Sequence, residues 1–184
     1  MNTKTEKQII EATGKLLNES GPGEFTLKKL SKQPEMLEFD IYALVKNEEQ
    51  IFEQLLLQLE KEMNAVVAEI SSKYDSPALE FEMLFKRLHR LFKQKPYYLT
   101  VIFDTDLLRQ YSGAVKVITR IKGVAKRYLA GLIDRGKAQK VFTINTSTKI
   151  LVKEILDSFQ ALMSDIQLTD KMVRDFRKYR SVNE

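Results

Sequence analysis

The sequence predicts an all-α protein, and three observations carry that expectation. Apolar residues recur at three- and four-residue spacing, the period of amphipathic helices, and no stretch shows the alternation of a half-buried strand. Only 4 prolines and 7 glycines interrupt 184 residues, and most fall between the periodic segments. An apolar fraction of 43% beside 30% charge is that of a globular chain with a real core. The length suits one good-sized domain, or a small headpiece on a body of about 100 to 150 residues.

The first helix is expected from about Thr5 to Ser20, with Ile9, Ile10, Thr13, Leu16 and Leu17 on one face and Gly21-Pro22 ending it. Thr26 is placed to cap a short second helix carrying Leu27 and Leu30, which stops near Gln33 because the residue before a proline disfavours the α region. A third short helix, about 35 to 45, turns Ile41 and Val45 inward. Asn47 and Gln50 have capping-box spacing, and the apolar series from Ile51 to Ile70 carries a long fourth helix to about Lys73.

Ser76-Pro77 is a cap followed by proline at the first helical position and opens the fifth helix. A sixth follows Pro96, and a seventh spans about Ser112 to Arg135, before Gly136. An eighth runs from a cap at Asn145 to about Ser164, and a ninth from a cap at Thr169 to about Tyr179. No repeat, low-complexity tract or long linker interrupts the series.

Composition narrows the function. The absence of cysteine removes disulfides, thiol nucleophiles and cysteine zinc sites, and suits a reducing cytoplasm. The strongest apolar run, YYLTVIF at 97 to 103, is far short of the roughly 20 residues that a bilayer needs, and the N-terminus lacks a signal core, so a soluble cytoplasmic protein without a membrane partner is expected. A lone histidine, no Glu-x-x-His pair and no glycine-rich phosphate loop speak against an enzyme and imply no metal or cofactor. Asp104 and Asp106, two apart on a helix, point to different sides and make no catalytic pair.

The net charge of +5 is unevenly spread: residues 1 to 50 hold 7 Lys/Arg against 9 Asp/Glu, and the remainder 23 against 16. The segment 109 to 140 is densest, with nine basic residues against Asp134 alone. Lys116, Arg120 and Arg127 share one helical face there. This is either a solvated face or a stripe for an anionic ligand or for the acidic first segment.

KQIIEATGKLLNESG at 7 to 21, FTLKKLSKQ at 25 to 33 and IYALVKNEEQIFEQLL at 41 to 56 resemble, without gaps, the headpiece of the tetracycline-repressor (TetR-like) family of bacterial regulators. Past residue 60 the resemblance rests on length and helix count. It implies a helix-turn-helix DNA-binding headpiece, 1 to 45, and a helical body, 46 to 184, that dimerises and holds a small-molecule pocket, about nine helices in all. The implied partners are a near-palindromic double-stranded operator, a second copy of the chain and an unidentified small ligand.

Position by position, Tyr42 and Lys46 match phosphate-contacting residues of that family, and Thr26 matches the capping hydroxyl of the second helix; Lys28 joins them as a DNA-binding candidate. The reading segment departs from the pattern. Glu35 stands at the usual turn glycine, and Leu37, Glu38, Phe39 and Asp40 occupy positions that are normally small or basic, while Leu44 replaces a polar or aromatic residue. A carboxylate within about 6 Å of a phosphate is repelled by very roughly 1 to 3 kcal/mol. Against that, Glu38 and Asp40 can accept from cytosine N4 and Phe39 can lie on thymine methyls. The alternative is that Glu35, Glu38 and Asp40 merely complement the helix dipole. The face of Leu37, Phe39 and Leu44, apolar and outward, is expected to be at least partly covered by the body or another chain.

In the body, His89 shares a face with Phe85, Leu88 and Phe92, and the resemblance places these with Tyr98, Phe103, Tyr111, Ile121, Tyr128 and Phe159 around a mostly apolar ligand. The competing reading is an ordinary core stripe with a histidine satisfied by a neighbouring carbonyl or carboxylate. The last two helices, through Leu151, Leu156, Phe159, Leu162, Met163, Met172 and Phe176, are expected to pair across a two-fold. The reading is thus a dimeric repressor; the alternative is a ligand-binding or protein-interaction module of the same fold that has lost sequence-specific DNA binding.

Overall fold

A computed structural model describes residues 3–177. Among these residues there are eleven α-helices, one short 3-10 turn and no strand: α1 Thr3–Ser20, α2 Leu27–Leu30, α3 Glu38–Leu44, α4 Glu48–Lys73, α5 Pro77–Gln94, α6 Tyr97–Phe103, α7 Thr105–Gln110, α8 Ser112–Ala138, α9 Thr148–Asp157, α10 Phe159–Ser164 and α11 Ile166–Arg177. The all-α expectation holds. The described residues form two compact units, 3–61 with 95–119 and 62–94 with 120–177.

The first unit is built on α1, whose buried face is Ile9, Ile10, Thr13, Leu16 and Leu17, as the spacing predicts. Against it pack α2, α3 and α6. The contact with α6 is close because Gly14 has no side chain: the ring of Tyr97 occupies the space that a Cβ would take. Phe52 of α4 lies between Phe25, at 5.3 Å between ring centroids, and Tyr111, at 5.4 Å.

The KNEEQ stretch at 46 to 50 is a bracket. Asn47 accepts from the Gln50 amide at 3.0 Å and caps α4, while the Gln50 side chain reaches back to the Lys46 amide at 2.8 Å. Glu48 accepts from the Leu27 amide at 3.2 Å, satisfying a donor at the start of α2, and Glu49 accepts from the Gly113 amide at 2.9 Å, doing the same for α8. Four consecutive polar side chains thus fix three helix starts.

In the second unit α5 packs on α10 and α11 through aromatic rings. Phe81 stacks on Phe176 at 4.5 Å and meets Phe142 edge-on at 5.5 Å, and Phe92 meets Phe159 edge-on at 5.4 Å. Such pairs contribute about 0.5 to 1.5 kcal/mol each beyond the area they bury.

Several element boundaries differ from the sequence reading. Helix α8 does not stop before Gly136 but continues to Ala138, because the buried Gly136 is where the Phe142 ring lies against the helix; it is a packing glycine and not a terminator. The FDTDLL segment holds a helix of its own, α7, capped by Asp104, which accepts from the Leu107 amide at 2.7 Å. Asp106 instead pairs with Arg109 at 3.5 Å. Ser147, not Asn145, caps α9, and the expected eighth helix is divided at Ser158 into α9 and α10. Thr169 caps nothing: it is fully buried inside α11 and donates its hydroxyl to the Leu162 carbonyl at 2.6 Å. The expected end near Tyr179 lies outside the described residues.

The third helix also starts later than expected, at Glu38 instead of about Glu35. Glu35 has φ 66, the left-handed region, and Leu37 before the helix is extended at φ −103. The position that the resemblance reserves for a turn glycine therefore keeps the glycine conformation with a side chain attached. Glu35 lies outside the helix, so its reading as a residue of the α3 N-terminus is overturned. A left-handed L-residue costs about 1 to 2 kcal/mol. Glu35→Gly is expected to raise stability by about 1 kcal/mol, since the relief exceeds the added chain entropy of glycine. Urea denaturation measures it, and an unchanged or lower midpoint would mean that the glutamate side chain compensates for its backbone.

Candidate nucleic-acid interface

The pair α2 and α3, joined by the turn at 31 to 37, forms the site singled out by the sequence. Thr26 caps α2, its Oγ1 accepting from the Lys29 amide at 3.1 Å. Lys29 is engaged with Glu24 at 2.9 Å, whereas Lys28, Lys32 and Lys46 are exposed. Helix α3 is anchored by Ile41 and Val45, 0% and 1% exposed, which sets its outward face a half-turn away. That face centres on Phe39 and Ala43, one turn apart, with Tyr42 and Glu38 on one flank and the half-buried Asp40 on the other.

Phe39 is 82% exposed, Leu37 65% and Tyr42 48%. The expectation that the chain's own body covers Leu37 and Phe39 is therefore overturned. Leu37 sits on the extended segment before the helix, and Phe39 points opposite to the buried Ile41. Leu44 is half-buried. Helix α3 has no side-chain cap, and Glu38 and Asp40 lie in its first turn, where a negative charge is favourable by about 0.3 to 1 kcal/mol.

The ten residues expected around a ligand divide between the units. Tyr98, Phe103 and Tyr111 lie in the first, and Phe85, Leu88, His89, Phe92, Ile121, Tyr128 and Phe159 in the second. Tyr98, Phe85, Leu88 and Phe92 are core residues, 0 to 5% exposed. The Tyr111 hydroxyl is pushed above the usual tyrosine range by burial and by the carboxylates of Glu48 and Glu49. His89 is half-buried, and its Nδ1 is buried without a hydrogen-bond partner, so at that atom it is not a satisfied core histidine.

Tyr128 donates to Glu80 Oε1 at 2.5 Å, and Arg135 Nη2 donates to Glu80 Oε2 at 2.5 Å. Burial first, and then the bond to Glu80, hold the Tyr128 hydroxyl far above its ordinary range, so it remains a donor. The sequence reading missed Glu80, which is 3% exposed. A signal existed: Glu80 falls on the same apolar stripe as Leu84 and Leu88, where an unpaired carboxylate would be costly.

A cleft of about 650 Å³ is lined by Lys4, Lys7, Ile10, Gln54, Leu57, Gln58 and Lys61 among others, and a second of about 490 Å³ by Lys126, Ile150, Val152, Lys153 and Leu156 among others. None of the ten residues lines either cleft. Of the residues expected at a dimer interface, Leu151, Leu162, Met163 and Phe176 are buried by their own chain, and Leu156, Phe159 and Met172 are half-buried. Exposed apolar residues in the same helices are Ile150, Ile166 and Leu168. No described helix is long and apolar enough to cross a membrane.

No protein-family model and no curated protein matches the chain. Solved structures do. A TetR-family transcriptional regulator from Agrobacterium tumefaciens superimposes with a TM-score of 0.80 at 12% identity, covering 95% of this chain and 98% of that one. A TetR transcriptional regulator from Legionella pneumophila gives 0.74 at 16% identity over 98% and 97%, and the fatty acid degradation regulator of Bacillus halodurans 0.72 at 16% over 97% and 95%. Over the described residues the chain has the fold of these TetR-family structures.

Proposed function

We propose that this chain is a DNA-binding transcriptional regulator, a repressor, that works as a homodimer on a near-palindromic operator and responds to a small, mostly apolar ligand. One observation carries the reading: within a chain that keeps the regulator fold throughout, α3 presents an uncovered outward face, with Tyr42 on its flank and exposed Lys46 just beyond its end. Residues 1 to 45 are the DNA-contacting headpiece and 46 to 184 the ligand-binding and dimerising part.

Two copies of α3 enter successive major grooves about 34 Å apart. Tyr42, Lys46, Lys28 and the head of α2 grip phosphates and set the register, and the residues of the α3 face read bases. Ile150, Ile166 and Leu168 with Leu156 and Met172 supply the apolar surface that pairing of the second units buries. In the same unit His89 Nδ1 offers a ligand one polar contact amid apolar neighbours. A ligand that favours one separation of the two headpieces shifts the population of operator-competent dimers, with α4, roughly 40 Å long, as the transmitting element.

A second reading is favoured by Glu38 and Asp40, the two carboxylates in the first turn of the reading helix: the same fold and dimer, without sequence-specific DNA binding. Selection of genomic fragments by the purified full chain separates the two. Enrichment of a two-fold-related site is expected on the first reading, and no enrichment at any ionic strength on the second.

A further inference from the structure

Resting on the DNA-binding reading above, we propose that the α3 face selects bases by a methyl-and-amino code: Phe39 and Ala43 pack on thymine C5-methyl groups, and Glu38 accepts from an exocyclic amino group. No guanine is read by this helix.

The inference follows from what each base edge offers in the major groove. Guanine presents two acceptors, O6 and N7; cytosine presents the N4 amino donor; adenine an acceptor and the N6 donor; thymine an acceptor and the methyl. Guanine is read chiefly by arginine or lysine. From Leu37 to Leu44 the chain holds neither, and its formal charges are Glu38 and Asp40. Carboxylates are complementary to amino donors and are repelled by the paired acceptors of guanine.

The middle of the face is apolar. Phe39, 82% exposed, and Ala43, exposed one turn further on, form a strip that the described residues leave open. In the groove, the apolar group that such a strip can desolvate is the thymine methyl. Cations lie only outside the strip: exposed Lys28 and Lys32 precede the turn and exposed Lys46 follows α3, suited to phosphates on either side of the groove. The distribution is that of a duplex reader whose grips are peripheral and whose centre is donor-seeking and methyl-seeking.

The test uses the full chain and the duplex that it enriches from a random pool. The enriched half-site is expected to centre on thymines with an adjacent cytosine or adenine. Replacing one central thymine per half-site by deoxyuridine, which deletes only the methyl, is expected to weaken binding about fourfold per methyl, hence roughly tenfold or more for the pair. Phe39→Ala should lose the methyl dependence at the thymine that Phe39 covers and keep it at the thymine that Ala43 covers. Its far-ultraviolet circular dichroism and thermal midpoint should match the parent, because the side chain is exposed. An enriched duplex whose affinity ignores the methyl deletion at every position, or a half-site whose centre is G·C pairs with no A·T pair, overturns the code and leaves the DNA-binding reading standing. Enrichment of no duplex overturns both.

Discussion

Replacing Glu38 by lysine is expected to tighten binding to non-specific duplex roughly tenfold at low ionic strength. Glu38 is exposed in the first turn of α3, on the flank of the face proposed to enter the groove. Within about 6 Å of a phosphate a carboxylate opposes binding by about 1 to 3 kcal/mol, and a lysine reverses the sign. Each new phosphate contact also steepens the dependence of log K on log salt by about 0.9 per subunit. Glu38→Gln divides the two effects, since it removes repulsion without adding a contact; it should tighten binding while leaving the slope near that of the parent. Neither change should unfold the headpiece, because the lost dipole interaction is only about 0.3 to 1 kcal/mol. Fluorescence anisotropy across a salt series measures both quantities. Parent-like affinity for both variants would place Glu38 away from the polyanion and take α3 out of the groove.

Glu80→Ala is expected to cost about 2 to 4 kcal/mol of stability, the largest loss among the polar residues discussed. The carboxylate is 3% exposed and holds two donors, Tyr128 and Arg135, each at 2.5 Å. Arg135 is 53% exposed at its side chain and can rehydrate, so the cost comes from the half-buried Tyr128 hydroxyl left without an acceptor and from the cavity. Tyr128→Phe, which leaves Glu80 its bond to Arg135, should cost about 1 kcal/mol. The double variant should lose less than the sum of the singles, as coupled partners do. Urea denaturation reads all three, and additive losses would mean that the two side chains do not bond in solution.

The helices were legible because each long one buries a single stripe, and the spacing of Ile9 to Leu17, of Ile51 to Ile70 and of Phe81 to Phe92 records it. Caps were legible where the hydroxyl or amide precedes the stripe, as at Thr26 and Asn47. They failed at Thr169, where a buried hydroxyl bonds to a carbonyl seven residues back, a contact that only tertiary packing creates. Gly136 misled for the same reason, since a glycine that admits an aromatic ring and one that ends a helix look alike in sequence. The reading face was legible as a place, and its identity as an exposed one was not. Whether Leu37 and Phe39 are covered depends on the direction of Ile41, fixed by where α3 meets α1.

The dimer and ligand residues were least legible, because an amphipathic stripe does not say whether its partner is the same chain, a second copy or a small molecule. Leu151, Leu162, Met163 and Phe176 are satisfied within their own chain. His89 Nδ1 is the opposite case: nothing in its spacing forecasts a buried nitrogen left without a partner.

The central claim is that phosphate grips at Tyr42, Lys46 and Lys28 outweigh the carboxylates at the groove. The most direct measurement is titration of the full-length protein with a mixed-sequence duplex pool from low to physiological ionic strength. The expected result is binding at low salt that weakens linearly on logarithmic axes, with a slope reporting about 0.9 units per phosphate contact, and one enriched site that persists at higher salt. Absence of binding at the lowest salt would contradict the claim.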